Sequence, residues 1–307
     1  MGSAYEADPV SWTLGDAGGG GRALPGMGED TRSMSDDADD PTARETGKRF
    51  VGRQDVTSWS TPAGRELAHL HRRLSDLLGE HGALIASLSI GGAISIATAY
   101  SASRIFDSVS GSTGIQSLDK PILAAAKRLR SPALDATAAS IARVFGPIGM
   151  PALTLGAAVI LSQRRKTRAP LTLLVAAGTG SLLMTLSGKG MIRRNRPGRS
   201  DAIAPYESSP SFPSGHTLNA TTIAGTLAYL LVLEQEKQVP QAAIIAAGAG
   251  TATAVGLSRV LLGAHWFTDV LVGWTTGTGW LGLVITSHRL YLTTKKRNAG
   301  RVASATP

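Results

Sequence analysis

The sequence contains no cysteine, which excludes disulfide frameworks, cysteine nucleophiles and zinc sites with thiolate ligands. This absence does not identify a compartment, because a cysteine-free chain is compatible with any redox environment. Aromatic residues are also scarce, at 5%, and charged residues make up only 17% of the chain. The length of 307 residues suits one or two domains.

The net charge of +9 is distributed unevenly. Residues 1–80 carry nine Lys and Arg against fourteen Asp and Glu, whereas residues 81–307 carry twenty-two against eight. Nucleic-acid binding requires basic residues along a soluble face or groove. Here the basic clusters lie between long apolar runs, as cations do at the ends of membrane spans. The pattern therefore argues against a nucleic-acid partner.

The amino-terminal segment differs from the rest in composition. Residues 1–60 are rich in Gly, Asp, Ser and Pro and poor in large apolar residues, which predicts a disordered, acidic and Gly-rich tail. Thr61 and Pro62 suit the start of a helix, and leucines follow at helical spacing. The spacing predicts an amphipathic helix over 61–80, compatible with a membrane surface or with a soluble packing face.

Six apolar runs dominate the remainder. Each approaches the roughly 20 residues that cross a bilayer core, and they are rich in the small residues typical of packed membrane helices. One such run would suit a buried helix of a soluble protein, but a soluble domain cannot cover six. We predict an all-α protein, a six-transmembrane-helix bundle with short surface helices and a disordered N-terminal tail, with its membrane domain over 81–290 and a basic tail over 291–307. The runs are 83–102, 146–162, 170–188, 217–233, 241–257 and 269–287.

Two short amphipathic helices are predicted between the first two runs, over 122–130 and 133–144, separated by Ser131-Pro132. Six spans place both termini on one side of the membrane. The positive charges are nearly balanced between the two sides, and setting aside cations that have a catalytic explanation favours cytoplasmic termini. We expect a multi-pass protein of the plasma membrane whose active site faces the extracytoplasmic side.

Three polar segments stand at the ends of spans. If the spans alternate in direction, the end of the third, the start of the fourth and the junction of the fifth and sixth all face the same side. The three segments can then form one pocket at the membrane surface. They are Lys189 with Arg196-Pro197, Pro213-Ser214-Gly215-His216, and Ser258-Arg259 with His265 and Asp269.

The residue types in this pocket indicate a site for a multiply charged oxyanion. Lys189, Arg196 and Arg259 supply three cations. Ser214 stands where it caps a helix, so the following Gly215 and His216 present backbone amides toward a ligand. No metal ion or cofactor is required by such a pocket.

The two histidines complete a mechanism for phosphoryl transfer. His265 and Asp269 are four residues apart, so a carboxylate can fix the imidazole tautomer and leave the other ring nitrogen as a nucleophile. His216 can protonate the departing alkoxide and then act as base while water hydrolyses the phosphohistidine.

These segments resemble the three-part signature of the type 2 phosphatidic acid phosphatase superfamily, which includes lipid phosphate phosphatases and vanadium-dependent haloperoxidases. The resemblance covers about residues 83–287 and points to the membrane branch. It implies His265 as nucleophile, His216 as acid and Asp269 as partner of the nucleophile. It implies as phosphate binders Lys189, Arg196, Ser214, Gly215 and Arg259.

The expected substrate is a lipid-linked phosphate, with an undecaprenyl- or decaprenyl-type pyrophosphate favoured by resemblance and membrane lipids as the other partners. Phosphatidylglycerol phosphate, phosphatidic acid and lipid A phosphate suit the chemistry equally. A vanadate-dependent peroxidase and a non-catalytic membrane protein with a phosphate pocket are the alternatives. Ser214 lacks the Gly-x-Ser-x-Gly elbow of serine hydrolases. Nothing in the pattern fixes an oligomeric state.

For two further charged residues, the preferred interpretation is that they do not belong to the active site. Arg194 follows the third run, where a charged flank of a span is the commoner explanation. Glu207 precedes the second segment and is interpreted as a solvated loop residue rather than one that recognises a head group.

Overall fold

The computed structural model describes residues 50–51, 54–109 and 115–305, so most of the tail predicted to be disordered over 1–60 lies outside the described residues, while its last part forms ordered structure. Within this part the chain is all-α apart from a short antiparallel pair, β1 (Phe50–Val51) and β2 (Gln54–Asp55). The predicted all-α class is therefore confirmed. The helices are α1 (Pro62–Val109), α2 (Asp119–Leu129), α3 (Pro132–Val144), α4 (Gly149–Arg165), α5 (Ala169–Met191), α6 (Gly215–Val232), α7 (Gln238–Leu261) and α8 (Phe267–Ala305).

The predicted amphipathic helix and the first apolar run form one element, α1, with a break at Gly79 (φ 73°, ψ 170°). The Thr61 hydroxyl accepts a hydrogen bond from the Gly64 amide at 3.1 Å, as a helix cap does. The amino-terminal part of α1 buries small and polar residues, including Ala68 and His71. Four of its five leucines are exposed and Leu74 is half-buried, so most of the apolar stripe faces away from the described part of the chain.

The two short helices predicted before the second run are present as α2 and α3. Ser131 caps α3, because its hydroxyl accepts a hydrogen bond from the Leu134 amide at 3.3 Å, and Pro132 occupies the first turn. After α3 the chain bends by 56° into α4.

Each of the six predicted apolar runs falls on a helix, namely α1 and α4 to α8. By length and composition, three helices in the described part could cross a membrane, and a fourth is reached if the bent pair of α3 and α4 forms one span. These three are the α1 segment 62–97, α5 and α7. The structure therefore supports a membrane protein, and the count of six spans stays a prediction.

Helix α6 is central to the bundle and packs against α5, α7 and α8, while α1 packs along α8. The core lies between these helices and contains fully buried leucines such as Leu173, Leu174, Leu218 and Leu230. This arrangement brings the carboxyl ends of α5 and α7 to the same end of the bundle as the starts of α6 and α8. The predicted polar segments lie at that end.

Helix α8 continues to Ala305 instead of ending near residue 290, so most of the predicted basic tail is helical. The described segment before α1 packs against this extension. The Arg289 guanidinium lies 4.6 Å from the Trp59 ring centroid, and the Trp59 indole donates a hydrogen bond to the Thr293 hydroxyl at 3.0 Å. Lys296 pairs with Asp55 at 2.8 Å.

Candidate active site

His265 lies in the short turn between α7 and α8, and a glycine positions it. Gly263 has a left-handed backbone (φ 63°), and a Cβ there would lie 2.4 Å from the Asp201 carbonyl oxygen. Only glycine fits this conformation and this close approach. The chain then turns back, and the His265 amide donates to the Arg259 carbonyl at 3.2 Å. The imidazole is consequently buried at the floor of the site.

The two ring nitrogens of His265 face opposite charges. Nε2 lies 3.1 Å from Nη1 of Arg196, and Nδ1 lies 3.6 Å from Oδ2 of Asp269, within ion-pair range but longer than a hydrogen bond. Burial lowers the pKa of the His265 imidazole to about 4; Asp269 opposes this shift and Arg196 adds to it. The imidazole is therefore neutral at pH 7. With Nδ1–H toward the carboxylate, the Nε2 lone pair faces the cations.

Asp269 is held rigidly at the start of α8. Its Oδ2 accepts hydrogen bonds from the Ser211 hydroxyl at 2.5 Å and from the Trp266 amide at 3.0 Å, and its Oδ1 pairs with Arg194 at 2.6 Å. The Asp269 carbonyl accepts from the Ser214 amide at 3.2 Å. This residue thus ties the third polar segment to the second.

Arg194 and Asp119 extend this network, although sequence reasoning assigned neither to the site. The guanidinium of Arg194 joins two buried carboxylates, with Nη2 2.5 Å from Asp119 and Nη1 2.6 Å from Asp269. Asp119 also accepts from the Thr268 amide at 2.9 Å and from its hydroxyl at 2.8 Å. The surface helix α2, which begins at Asp119, is therefore connected to the start of α8 beneath His265.

The start of α6 contributes the second segment. Ser214 is the helix cap, and its hydroxyl oxygen accepts from the Thr217 hydroxyl at 2.8 Å. A Cβ on Gly215 would lie 2.9 Å from Cγ2 of Thr185, so glycine permits the close packing of α6 on α5. His216 Nε2 lies 3.2 Å from the Ala142 carbonyl oxygen, which leaves Nδ1 directed into the site.

The three predicted cations surround the same space. Arg196 donates to the Ser209 carbonyl at 2.8 Å and to the Ala264 carbonyl at 2.5 Å, which orients its guanidinium. Lys189 donates to the Ser209 hydroxyl at 3.0 Å. Arg259 is 0% exposed, and among the described residues its Nε and Nη1 have no hydrogen-bond partner. A buried guanidinium N–H without a hydrogen-bond partner raises the free energy of the folded protein, so binding of an anion that accepts from it is favoured.

Glu207 lies at the centre of this group rather than in a solvated loop. Its carboxylate pairs with Arg259 and, at 2.7 Å, with Arg196, and its side chain is 24% exposed. The same carboxylate is 3.6 Å from His216 Nδ1 and 3.8 Å from His265 Nε2. Burial alone raises the pKa of the Glu207 carboxyl, but the neighbouring cations, Arg259 foremost, outweigh it and lower the pKa to about 2. Glu207 is thus an internal anion among the groups that are predicted to bind phosphate.

We expect Glu207→Gln to strengthen inhibition by orthovanadate about tenfold, because an amide of similar shape does not compete with an oxyanion for Arg196 and Arg259. The measurement is the inhibition constant at fixed pH. Glu234→Gln is the matched control, since Glu234 pairs with Arg165 at 2.8 Å elsewhere in the bundle. Weaker vanadate inhibition in the Glu207 variant would contradict the expectation that Glu207 competes with an oxyanion for Arg196 and Arg259.

The chain was compared with known proteins. The family model described as the PAP2 superfamily matches residues 169–291. Phosphatidylglycerophosphatase B of Bacillus subtilis (strain 168) is 37% identical over 172 residues, which cover 53% of this chain and 79% of that protein. The chain belongs to the PAP2 superfamily. This finding confirms the resemblance in the three polar segments, and with it the enzyme class of a lipid phosphatase.

Further PAP2 relatives agree. A decaprenylphosphoryl-5-phosphoribose phosphatase of Mycolicibacterium smegmatis (strain ATCC 700084 / mc(2)155) is 33% identical over 135 residues, which cover 42% of this chain and 66% of that protein. The crystal structure of a transmembrane PAP2 type phosphatidylglycerolphosphate phosphatase from Bacillus subtilis superposes with a TM-score of 0.55 at 29% identity. It covers 62% of this chain and 93% of that chain. The fold and the membrane setting are therefore those of a membrane PAP2 phosphatase.

Proposed function

We propose that the protein hydrolyses a polyprenyl phosphate or pyrophosphate of the undecaprenyl or decaprenyl type through a phosphohistidine on His265. The observation that carries this proposal is the position of His265 Nε2, 3.1 Å from the Arg196 guanidinium and 3.8 Å from the Glu207 carboxylate, which also pairs with Arg259. A neutral imidazole beside cations suits attack on a phosphoryl group whose charge the cations bind.

In the first step, His265 Nε2 attacks the terminal phosphorus, and the bond from that phosphorus to the leaving oxygen breaks; the leaving group is the lipid alcohol of a monophosphate or the lipid monophosphate of a pyrophosphate. Lys189, Arg196 and Arg259 stabilise the charge on the equatorial oxygens. Burial lowers the pKa of His216 to about 4, so this imidazole takes up a proton when the negatively charged phosphoryl group lies beside it. Its Nε2–H stays bonded to the Ala142 carbonyl, and its Nδ1–H goes to the leaving oxygen. The products of this step are the dephosphorylated lipid and the phosphorylated imidazole.

In the second step, water attacks the phosphohistidine while His216 accepts its proton, and the nitrogen–phosphorus bond breaks. Inorganic phosphate leaves and His265 is neutral again. Asp269 stabilises positive charge on the imidazole in both steps, and Arg194 with Ser211 keeps that carboxylate in place. Six of the eight residues predicted from the sequence thus take part in the two steps, and the other two, Ser214 and Gly215, form the start of α6.

The proposal also includes six spans with both termini in the cytoplasm and the site on the extracytoplasmic face of the plasma membrane. The correspondence of all six apolar runs with helices supports the count. The cluster from Arg164 to Arg168, between α4 and α5, lies at the opposite end of the bundle from His265. Such a cluster is typical of the cytoplasmic side.

The choice of substrate is tested by phosphate release from detergent-solubilised protein. We expect turnover of decaprenyl or undecaprenyl phosphate and pyrophosphate to exceed that of phosphatidylglycerol phosphate and phosphatidic acid, with inhibition by vanadate. Turnover should also survive EDTA, because the proposed charge stabilisation comes from side chains. A preference for phosphatidylglycerol phosphate would contradict the polyprenyl assignment, and strict Mg²⁺ dependence would contradict the three-cation mechanism.

A further inference from the structure

A large apolar groove runs along the bundle between α1 and α5, with Trp280 of α8 at its floor. Its volume is about 790 Å³. Small residues form much of its surface, among them Gly92, Ala93 and Gly180. Gly180 has a specific reason to be small, because a Cβ there would lie 2.3 Å from the Trp280 ring. Gly180 therefore lets the Trp280 ring pack directly on α5, where it forms part of the groove wall.

The groove adjoins a smaller cavity that lies next to the candidate active site. Ile96 and Met184 line both the groove and this smaller cavity, whose volume is about 30 Å³. That cavity is also lined by Gly188 and Pro213. These two residues immediately precede Lys189 and Ser214, so the groove leads from the bundle surface to the place where the phosphate binders begin.

The length of the groove exceeds one membrane leaflet. Along α5 it extends from Leu171 to the cavity at Gly188, which is about 25 Å at the rise of an α-helix. The hydrocarbon core of a bilayer is about 30 Å thick, so one leaflet contributes roughly 15 Å. The acyl chains of a glycerophospholipid occupy one leaflet, whereas a long polyprenyl chain can pass the midplane.

We propose that this groove binds the hydrocarbon tail of the substrate, and that its half far from the site selects a polyprenyl tail that crosses the midplane. The inference rests on the proposed function, since it assigns a binding place to the hydrocarbon tail of the lipid whose phosphate enters the site. The far half is the part from Leu171 to Ala176, and the near half is the part from Thr179 to Met184.

A second groove provides an internal comparison. It has a similar volume, about 620 Å³, and lies between α6, α7 and α8. It is also apolar, but it shares no lining residue with the small cavity at Gly188 and Pro213. A bulky residue in this second groove therefore controls for general effects of altering a lipid-facing surface.

The test compares three tryptophan variants of the full chain. Val175→Trp fills the far half, Leu183→Trp fills the near half, and Ala249→Trp is the matched change in the second groove; all three positions are exposed on the helices. The substrates are decaprenyl phosphate, the much shorter farnesyl phosphate, and water-soluble phenyl phosphate. KM and kcat are measured in the same detergent.

We expect Val175→Trp to raise KM for decaprenyl phosphate at least about tenfold, the effect of losing a methylene-sized contact in an apolar pocket, and to leave farnesyl phosphate unchanged. Leu183→Trp should raise KM for both lipids. Ala249→Trp should change neither, and all three variants should turn over phenyl phosphate like the wild type, which reports an intact site.

Equal decaprenyl KM values for Val175→Trp and Ala249→Trp would overturn the groove assignment. An equal effect of Val175→Trp on both lipids would overturn the selection by the far half. Failure of the proposed function gives a different result, because the wild-type protein would then turn over decaprenyl phosphate not at all or less well than phosphatidylglycerol phosphate.

Discussion

His265→Ala is expected to lower the rate of phosphate release at least about 10⁴-fold, because it removes the imidazole that is proposed to form the covalent intermediate. The imidazole is buried and neutral, and its Nε2 is the ring nitrogen that faces the cations. The measurement is kcat for the lipid substrate, together with trapping of radiolabelled phosphate on the protein. The acid-labile label of a phosphohistidine should be present in the wild type and absent from the variant.

Two histidines outside the site serve as controls for this substitution. His69 is exposed on α1, and His71 is buried with its Nδ1 3.0 Å from the Ser87 hydroxyl. His69→Ala should retain wild-type turnover and labelling. His71→Ala removes a buried imidazole of the same size, so it separates loss of stability from loss of chemistry. Turnover retained by His265→Ala would remove His265 as nucleophile.

Arg259→Ala is expected to lower kcat/KM about 10³-fold or more, the range seen when an arginine that stabilises a transferring phosphoryl group is lost. The guanidinium is fully buried, and two of its nitrogens lack partners in the described part of the chain. It is therefore available to a phosphate whose charge spreads in the transition state. The measurements are kcat/KM and inhibition by vanadate, which should weaken together.

Lysine substitutions separate the contribution of positive charge from that of the guanidinium geometry. Arg259→Lys keeps the charge but loses the planar fork that binds two oxygens, so we expect partial recovery only. Arg165→Lys is the matched control, because Arg165 is also buried and pairs with Glu234 far from the site. Full activity of Arg259→Lys would mean that charge alone suffices, and full activity of Arg259→Ala would exclude Arg259 from the chemistry.

Much of the architecture could be predicted because local patterns encode it. Apolar runs of helical length marked α1 and α4 to α8, and Ser131-Pro132 marked the break between α2 and α3. The convergence of the polar segments followed from alternation of the spans. Its outcome is the 3.1 Å contact between Arg196 and His265, which are 69 residues apart.

The ionic partners within the site could not be predicted, because they join residues that no local spacing relates. Glu207 meets Arg259 across 52 residues, and Arg194 meets Asp119 and Asp269 across 75 residues each. A carboxylate in a loop resembles any solvated residue until the fold buries it. The extension of α8 was missed for a related reason, because a charged segment can remain helical when another part of the chain packs on it.

The pairing of Glu207 with Arg196 and Arg259 affects which anions can enter the site. A pocket with this much positive charge would otherwise collect sulfate or phosphate from the surrounding water, but its own carboxylate neutralises part of that charge. A ligand must then displace this carboxylate from Arg196 and Arg259, and under the proposed function the binding of the lipid tail favours that exchange. After hydrolysis the tail is no longer attached to the phosphate, so the returning carboxylate can expel the freed ion and reset the pocket.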